Sequence, residues 1–366
     1  MLSIGIVGLP NVGKSTLFNA LLKKQQALAA NYPFATIEPN IGVVAVYDER
    51  LTKLAEITKE EEKMVNLPPI KFAVVEFVDI AGLVKGASEG AGLGNKFLSH
   101  IREVSVIAHV VRAFEDENVV KEGAVDPKSD YETIRTELQI ADLQTLQNLN
   151  EKALRTDPTK KAVVEKIKAA LDQGKNAFEI ELSEEETLSI KELSLLTNKK
   201  EIVVLNVSEA DYNPESITNI INKYSDLLKV DGKKLVVICA KIESDLALLS
   251  EDEQKEYLKE LGIEQSGLER LIQKAYSELG LISFLTAGVK EVRAWTIKKG
   301  FSALLASGEI HTDFMKRFIK AEAVSFEDFV KYNGWKGTRE HGKARLEGRD
   351  YIVRDGDIIE FKIGTN

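Results

Sequence analysis

The segment Gly8–Ser15, with the sequence Gly-Leu-Pro-Asn-Val-Gly-Lys-Ser, has the residue types and the spacing of a phosphate-binding loop. Its glycines let backbone N–H groups converge on phosphate oxygens, and the helical run that follows adds a favourable dipole. The ammonium of Lys14 is predicted to bridge the β- and γ-phosphates, and the hydroxyl of Ser15 to ligate Mg²⁺. The residues predicted to contact the nucleotide here are Asn11, Val12, Gly13, Lys14, Ser15 and Thr16.

A second motif, with the pattern Asp-x-x-Gly, begins at Asp79 at the end of a predicted strand. Asp79 is predicted to lie behind the Mg²⁺, and the N–H of Gly82 to sense the γ-phosphate. Between the two motifs lies Thr36, and a loop threonine can close onto Mg²⁺ when a γ-phosphate is present. The predicted metal ligands are Ser15, Thr36 and Asp79.

The residue after the second motif is Leu83, where many GTPases have a glutamine that orients the attacking water. Because leucine cannot orient water, we expect slow intrinsic hydrolysis and a catalytic group supplied from elsewhere. Two interpretations of Asn11 stay open: it helps to bind a K⁺ ion that stabilises the reacting phosphates, or it only shapes the loop. The predicted catalytic residues are Lys14, Asn11 and Gly82.

Strands and helices alternate in the parts of the chain that carry these motifs. Short, β-branched runs bounded by turn residues predict the strands. Because helical segments separate these runs, we expect an α/β sheet with helices on both faces. The predicted strands are Ile4–Val7, Val43–Val46, Phe72–Val78, Val106–Val111, Ile202–Leu205 and Leu235–Ile238.

The segment 128–200 has a different pattern, polar and helical in period. Apolar residues at helical spacing run from Ile134 onward, and Asp157-Pro158 separates them from a second helical stretch. A further helix is predicted to open with the capping box Ser183–Glu186. We interpret this segment as a helical hairpin inserted into the α/β domain, with its charges on a solvated face.

The chain from Leu281 onward is predicted to form a separate domain over residues 281–364, after a first domain over residues 1–280. Small domains that mix strands and helices usually bind a partner, and no acid/base constellation is found in this one. The predicted strands are Phe284–Thr286 and Val292–Ile297, the predicted helices are Asp313–Lys320 and Phe326–Lys331, and a closing hairpin is predicted over residues 350–363.

The net charge of −9 argues against a protein that coats nucleic acid through its overall charge. Only the segment 281–366 has a basic bias, with 15 lysines and arginines against 12 acidic residues, whereas the rest carries 34 against 46. Two interpretations of its basic residues stay open: an RNA-facing strip or a solvated helix face. The residues concerned are Lys336, Arg339, Lys343, Arg345 and Arg349.

Length and composition indicate a globular protein of two or three domains, since its 366 residues exceed what one compact core usually holds. No run approaches the length needed to cross a bilayer, and no secretory pattern follows Met1, so we expect no membrane contact. The one cysteine, Cys239, excludes an internal disulfide, and we expect a cytoplasmic location. Cys239 itself is interpreted as a small buried hydrophobe at a strand end.

Several segments resemble the Obg-related GTPases and, within them, the YchF family, also called EngD. The resemblance implies a Ras-like P-loop domain, a coiled-coil insertion and a C-terminal TGS domain with a β-grasp fold. It also implies nucleotide hydrolysis and association with the ribosome or its subunits, where rRNA is a possible contact, by a protein that we expect to be monomeric. The residues that carry it are Gly8–Ser15, Phe34–Asn40, Asp79–Ala87, Gly90–Phe97, Asn206–Glu209, Thr286–Trp295 and His311–Lys320.

The motif that reads guanine in many GTPases, Asn-Lys-x-Asp, is replaced here by Asn206-Val207-Ser208-Glu209. The lysine is absent and the carboxylate is one methylene longer, which weakens the paired contact to guanine. Adenine presents an amino donor that the Asn206 oxygen or the backbone near Val207 can accept. We expect ATP to be preferred and GTP to bind more weakly; the alternatives are a conventional GTPase and a constitutive RNA- or protein-binding module with a structural nucleotide. The residues predicted to contact the base are Asn206, Val207, Glu209 and Ala240.

Two positions depart from the family pattern. Ala35 stands where some members have a cysteine, so thiol control is not expected at that loop. Lys121 stands near the place of a histidine in other members, which puts a histidine-dependent hydrolysis step in doubt. His109, inside an apolar strand, is interpreted as a core residue.

Overall fold

A computed structural model of the chain describes residues 2–29, 40–80, 93–115, 126–149 and 156–364. Five residues discussed above, Thr36, Gly82, Leu83, Ala35 and Lys121, lie outside these ranges. In chain order the strands are β1 (Ser3–Val7), β2 (Ile41–Val46), β3 (Ile70–Lys71), β4 (Ala73–Asp79), β5 (Val106–Arg112), β6 (Lys200–Asn206), β7 (Leu235–Ile238), β8 (Leu281–Ala287), β9 (Val292–Lys298), β10 (Phe318–Val324), β11 (Arg345–Glu347) and β12 (Ile358–Ile363).

Several helices begin with a residue whose side chain caps the first turn. Asp126, Asp157 and Asn213 cap three of them with side-chain oxygens, and a proline follows each cap. The helices are α1 (Lys14–Ala29), α2 (Glu49–Glu61), α3 (Leu93–Glu103), α4 (Pro127–Gln147), α5 (Pro158–Asp172), α6 (Glu184–Ile190), α7 (Pro214–Leu228), α8 (Ala240–Leu246), α9 (Glu251–Glu260), α10 (Gly267–Glu278), α11 (Ala303–Ile310), α12 (Thr312–Arg317), α13 (Phe326–Lys331) and α14 (Trp335–Glu340).

The first sheet has the strand order β2-β4-β1-β5-β6-β7. The five strands from β4 to β7 in this order pair in parallel, so their carboxyl ends meet at one edge. All six strands predicted in this part of the chain are confirmed. The sheet is buried in its centre, where every residue of β1 and β5 is buried.

The inserted segment is helical, as predicted. In α4, Ile134 and Leu138 are buried against the sheet and α3. Further along, Leu146 joins a second core formed by the apolar face of α5, which includes Val163 and Ile167. The predicted capping box is also confirmed, because the Ser183 hydroxyl and the side chain of Glu186 each bond to the other residue's backbone N–H.

The second sheet has the order β11-β10-β12-β8-β9-β3 and mixes parallel and antiparallel pairs. It is the sheet of a β-grasp domain, with α11 packed against its core. On this sheet α2 contacts β8 and β9, and Arg50 Nη1 donates to Asp355 Oδ2 over 2.8 Å. Glu61, at the end of α2, accepts from the backbone N–H groups of Trp335 and Lys336.

The chain divides into two compact units, and the second unit contains Val44–Val75 together with the chain from Ile272 onward. The stretch between the predicted loops of Thr36 and Gly82 therefore completes the C-terminal domain. The boundary at residues 280 and 281 stays a prediction. This contribution from early in the chain was not anticipated from the sequence.

Two predictions for the C-terminal domain are wrong. The predicted helix Asp313–Lys320 ends at Arg317, and Phe318 begins β10, because its side chain enters the core of this domain. The predicted closing hairpin is absent from this described region: Ile352 makes an isolated bridge with Ser302, and β12 pairs with β10 and β8. The N–H of Gly356 donates to the Ser283 carbonyl, which directs the chain toward β8 instead.

None of the described helices combines the length and the apolarity that a membrane-spanning helix needs.

Candidate nucleotide-binding site

The loop Gly8–Ser15 connects β1 to α1 at the carboxyl edge of the first sheet. A Cβ at residue 8 would lie 2.8 Å from the carbonyl oxygen of Val110, so the loop passes close to β5. Gly13 has φ +94°, a left-handed conformation, and a Cβ there would overlap the side-chain nitrogen of Asn206. Both glycines are thus required by the backbone path as well as by the chemistry of phosphate binding.

Lys14 and Asp79 meet beside this loop. The register of β1 and β4 aligns Asp79 with Ile6, two residues before Gly8. The Lys14 ammonium contacts the Asp79 carboxylate, and both side chains are largely buried. The structure therefore brings together two of the residues predicted to act on the phosphates and the metal.

The other predicted residues of the loop lie around the start of α1. Asn11 is exposed and has a left-handed φ of 63°. Ser15 and Thr16 are exposed in the first turn of α1, whereas the Val12 side chain is buried beneath the loop. Exposed hydroxyls at a helix N-terminus are accessible to an anion and its metal.

Asn206 connects the loop to two other segments. Its Nδ2 donates to the Val12 carbonyl over 2.9 Å, and its Oδ1 accepts from the N–H of Ala240 over 2.9 Å. The side chain is buried, so the structure favours a role in which Asn206 holds the loops together. The suggestion that its oxygen accepts from adenine is less supported, because that oxygen already binds Ala240.

The remaining candidates for base recognition lie at the ends of β6 and β7. The N–H of Val207 donates to the Ile238 carbonyl, and Ala240 begins α8 directly after Cys239. Glu209 is half-exposed, and its carboxylate binds the Lys241 ammonium over 2.6 Å. The carboxylate predicted to read the base is therefore engaged by a neighbouring cation.

Cys239 is buried, as predicted, and burial raises the pKa of its thiol. His109 is likewise a core residue, as predicted, and its Nδ1 lies 2.8 Å from the buried carboxylate of Glu201. Tyr131 of α4 donates to the same carboxylate, so this pair joins the sheet to the inserted helices.

Sequence reasoning missed a buried cluster below the base-recognition segments. Tyr212, Glu243 and the backbone N–H of Gly267 bond to one another there. A tyrosine and a glutamate far apart in the sequence gave no signal. The one available signal was Gly267 at the start of an amphipathic helix, because a glycine there can mark a close approach of the backbone to another group.

Comparisons with known proteins agree with this geometry. A family model described as a 50S ribosome-binding GTPase matches residues 3–241, and the model of the YchF GTPase C-terminal domain, described as a protein of unknown function, matches residues 281–364. The ribosome-binding ATPase YchF of Bacillus subtilis strain 168 is 48% identical, with 100% of both chains covered. The chain belongs to the YchF family.

Two further members of the YchF family extend this comparison. The ribosome-binding ATPase YchF of Escherichia coli O157:H7 is 48% identical over 98% of both chains. The solved structure of the Schizosaccharomyces pombe YchF GTPase has a TM-score of 0.84 and 37% identity, and covers 99% of this chain and 97% of its own. The predicted family and fold class are confirmed.

Three of the five basic residues near the C-terminus of this YchF family member are paired with carboxylates. Arg339 makes paired bonds to Glu322 and a third bond to Glu360, and Arg345 binds Glu347. Lys343 lies 3.9 Å from Asp328, and Arg349 donates to the Phe318 carbonyl. These contacts weaken the interpretation as an RNA-facing strip, because such a strip needs several free cations in a row.

Proposed function

We propose that this chain is a Mg²⁺-dependent ATPase that acts as a slow, nucleotide-controlled switch and binds the ribosome. The observation that carries the proposal is the contact of Lys14 with Asp79 beside the glycine-shaped loop. The names of the full-length relatives from two bacteria, both ribosome-binding ATPases, support it. Cytoplasmic location and a monomeric state are part of the same proposal.

The residues present fit a Mg²⁺ ion. Asp79 supplies carboxylate oxygens at the end of β4, and Ser15 supplies a hydroxyl in the first turn of α1. Hard oxygen ligands of this kind suit Mg²⁺, which retains waters and binds phosphate oxygens as well. When bound, the ion neutralises charge that develops on the phosphates. Thr36 is proposed as the ligand that responds to the γ-phosphate.

The chain's own groups bind and orient the phosphates. Backbone N–H groups of the loop and the first turn of α1 converge on them, and Lys14 supplies a mobile positive charge. The contact with Asp79 keeps the Lys14 ammonium beside the loop and largely out of solvent. A charge close to the loop can stabilise the negative charge that develops on the phosphates.

The proposed preference for ATP is supported by the state of Glu209. Guanine recognition needs a carboxylate free to accept two N–H groups, whereas Glu209 binds Lys241. Guanine would have to compete with this ion pair, and adenine would not. A conventional GTPase remains the second candidate, since the matching family model and the yeast relative are both named GTPases.

Competition of labelled ATP by unlabelled GTP tests the base preference. We expect GTP to displace ATP only at concentrations well above those at which unlabelled ATP does so. Equal displacement by the two nucleotides supports the conventional GTPase instead.

The variant Lys14→Ala tests the switch. Loss of a hydrogen bond to a charged group costs about 1.5–3 kcal/mol, so we expect ATP binding to weaken at least about tenfold. ATP should then no longer change the fraction of protein that co-sediments with ribosomes. Lys23→Ala, a lysine of the same helix, is the matched control. If Lys14→Ala co-sediments like the unaltered chain with and without ATP, the protein is a constitutive ribosome-binding module.

The proposed K⁺ ion is tested by turnover in KCl and in NaCl, with Asn11→Ala alongside. We expect faster turnover in KCl, and the difference should disappear in the variant. Equal rates in both salts leave Asn11 with the role of shaping the loop.

A further inference from the structure

The structure contains a buried hydrogen-bonded cluster that joins the two segments predicted to contact the base. We propose that Tyr212 and Glu243 are positioning residues for base recognition, and that they fix the segment after β6 against the segment after β7. This inference rests on the proposed nucleotide site. It predicts that these residues affect how tightly the base of the nucleotide is bound, and that they do not affect how tightly the phosphates are bound.

The two segments are adjacent because the register of β6 and β7 aligns Asn206 with Ile238. Tyr212 lies in the first segment, where its N–H donates to the Glu209 carbonyl. Glu243 lies in α8, two residues after Lys241. The Tyr212 hydroxyl donates to Glu243 Oε1 over 3.2 Å, so the bond joins one segment to the other.

A third element, α10, completes the cluster by donating a backbone N–H to both side chains. The N–H of Gly267, at the start of α10, lies 2.7 Å from Glu243 Oε1 and 2.8 Å from the Tyr212 oxygen. A Cβ at residue 267 would lie 2.9 Å from that oxygen and 3.1 Å from Oε1. The close approach of this backbone N–H to both oxygens therefore requires glycine. Arg270 of the same helix donates to the Val237 carbonyl and lies 3.4 Å from the Tyr212 oxygen.

Burial makes the geometry of this cluster definite. Tyr212 and Glu243 are each 1% exposed. Oε2 of Glu243 has no hydrogen-bond partner among the residues that the structure describes. Burial raises the pKa of Glu243, although the charge of Lys24 and the bonds from the start of α10 oppose that shift. A single carboxylate oxygen of Glu243 thus accepts the bonds that join the two segments at this buried position.

Other links between the segments are of a different kind. The bond between Glu209 and Lys241 lies on the surface, and exposed ion pairs contribute little to a fixed geometry. Asn206 holds the first residues of both segments and also the Val12 carbonyl of the phosphate-binding loop. Tyr212 and Glu243 bond to neither the loop nor Asn206, so their loss should disturb the base and leave the phosphates in place.

The experiment compares two ligands in the full chain, ATP and inorganic tripolyphosphate, both with Mg²⁺. We expect Tyr212→Phe and Glu243→Ala to raise the Kd for ATP about tenfold, equivalent to about 1.4 kcal/mol, with the Kd for tripolyphosphate unchanged. Glu243→Gln keeps an acceptor at Oε1 and should restore most of the affinity for ATP. The kcat for hydrolysis at saturating ATP should change less than the KM.

The matched control is Tyr131→Phe, which removes a buried tyrosine hydroxyl that also bonds to a glutamate, Glu201, but far from the base. It should lower thermal stability without changing the Kd for ATP. Equal loss of ATP affinity in Tyr131→Phe and Tyr212→Phe would overturn the inference, as would a parallel loss of tripolyphosphate binding. If the unaltered chain binds ATP no more tightly than tripolyphosphate, the base contributes nothing to binding and the proposed function fails. This outcome differs from the two that would overturn the inference alone.

Discussion

Tyr131 and Tyr212 each donate a hydrogen bond to a buried glutamate, and the two glutamates have different electrostatic environments. Glu201 also accepts from His109 Nδ1, and Arg135 extends the network by donating to the Tyr131 oxygen. In the part of the chain that the structure describes, no cation bonds to Glu243, whose other partners are backbone N–H groups. The cluster around Glu201 is a network of ionisable side chains, whereas Glu243 accepts from a tyrosine hydroxyl and from backbone N–H groups.

The direction of the pKa shift separates the two clusters. Burial alone would raise the pKa of Glu201, but the hydrogen bond and charge of His109, with Arg135 and Tyr131, outweigh burial and lower it. Burial raises the pKa of Glu243, and the opposing bonds do not compensate. Glu201 is therefore stabilised as a carboxylate, whereas folding favours the protonated form of Glu243.

The difference teaches which part of the fold is held by buried charge and which by hydrogen bonds to a carboxyl whose protonated form is favoured. Glu201 joins β6 to α4, and removing one member of a buried charged network is costly. Glu243 joins segments that are proposed to contact a nucleotide, and its bonds to Tyr212 and to the N–H of Gly267 need no opposite charge. The inserted helices should thus be anchored more strongly than the segments around the base.

The largest expected effect is that of Glu201→Gln. Removing the charge takes away the carboxylate that accepts from His109 and attracts Arg135, and we expect a loss of up to about 3 kcal/mol, the lower end of the range for a broken buried ion pair. Denaturant unfolding followed by circular dichroism measures it. Glu179→Gln, which removes the outer partner of Arg135, is the control and should cost less than about 1 kcal/mol.

Gly267→Ala should have the next largest effect and should act on the other cluster. The added Cβ meets Ile238, Tyr212 and Glu243 at 2.9 to 3.1 Å, and overpacking of this kind costs about 1–3 kcal/mol. Thermal unfolding measures the loss. Gly348→Ala, where a Cβ would meet nothing within 4 Å, is the matched control. Equal losses in both variants would contradict the tight geometry around Glu243.

The pH dependence of stability should have opposite signs for the two clusters. The folded pKa of Glu201 is below its ordinary value of 4.5, so its contribution is present above pH 4.5 and is lost as the pH falls through the folded pKa. The folded pKa of Glu243 is above 4.5, so its contribution is present below pH 4.5 and is lost as the pH rises through the folded pKa. Each effect is at most about 1.4 kcal/mol per pH unit.

Unfolding midpoints measured in steps from pH 3 to pH 8 check these signs, with the chain and its two glutamine variants side by side. Glu201→Gln should reduce the fall in the unfolding midpoint as the pH is lowered below 4.5. Glu243→Gln should reduce the fall in the midpoint as the pH is raised above 4.5. A smaller fall below pH 4.5 in the Glu243→Gln variant would show that the folded pKa of Glu243 is lowered, and would reverse the assignment.

The smallest expected effect is that of Glu243→Gln on stability. Near pH 4.5, where folding favours the uncharged form, an amide of the same shape should change stability by less than about 1 kcal/mol. The comparison with Glu201→Gln under the same conditions is the test. A loss as large as that of Glu201→Gln would show that Glu243 is also held as a charge.

Much of the nucleotide site could be predicted from the sequence because its parts are local. Gly8, Gly13 and Lys14 act through one continuous loop, and alternating β-branched runs marked the strands that carry it. The exact use of Asn206 could not be predicted, since its partners Val12 and Ala240 are distant in the chain. The same reason explains the failure over Asp313–Lys320, where the position of β10 depends on strands that follow it.

The sequence by itself determined the phosphate-binding loop, the six strands of the first sheet, the inserted helices and the family. These features depend on short-range spacing, hydrophobic period and the special backbone needs of glycine. Only the tertiary structure decided that Val44–Val75 completes the C-terminal domain, that Glu209 binds Lys241, and that the pKa values of the two buried glutamates shift in opposite directions. Those outcomes depend on which distant groups approach a side chain after it has lost its water, and local sequence does not specify that.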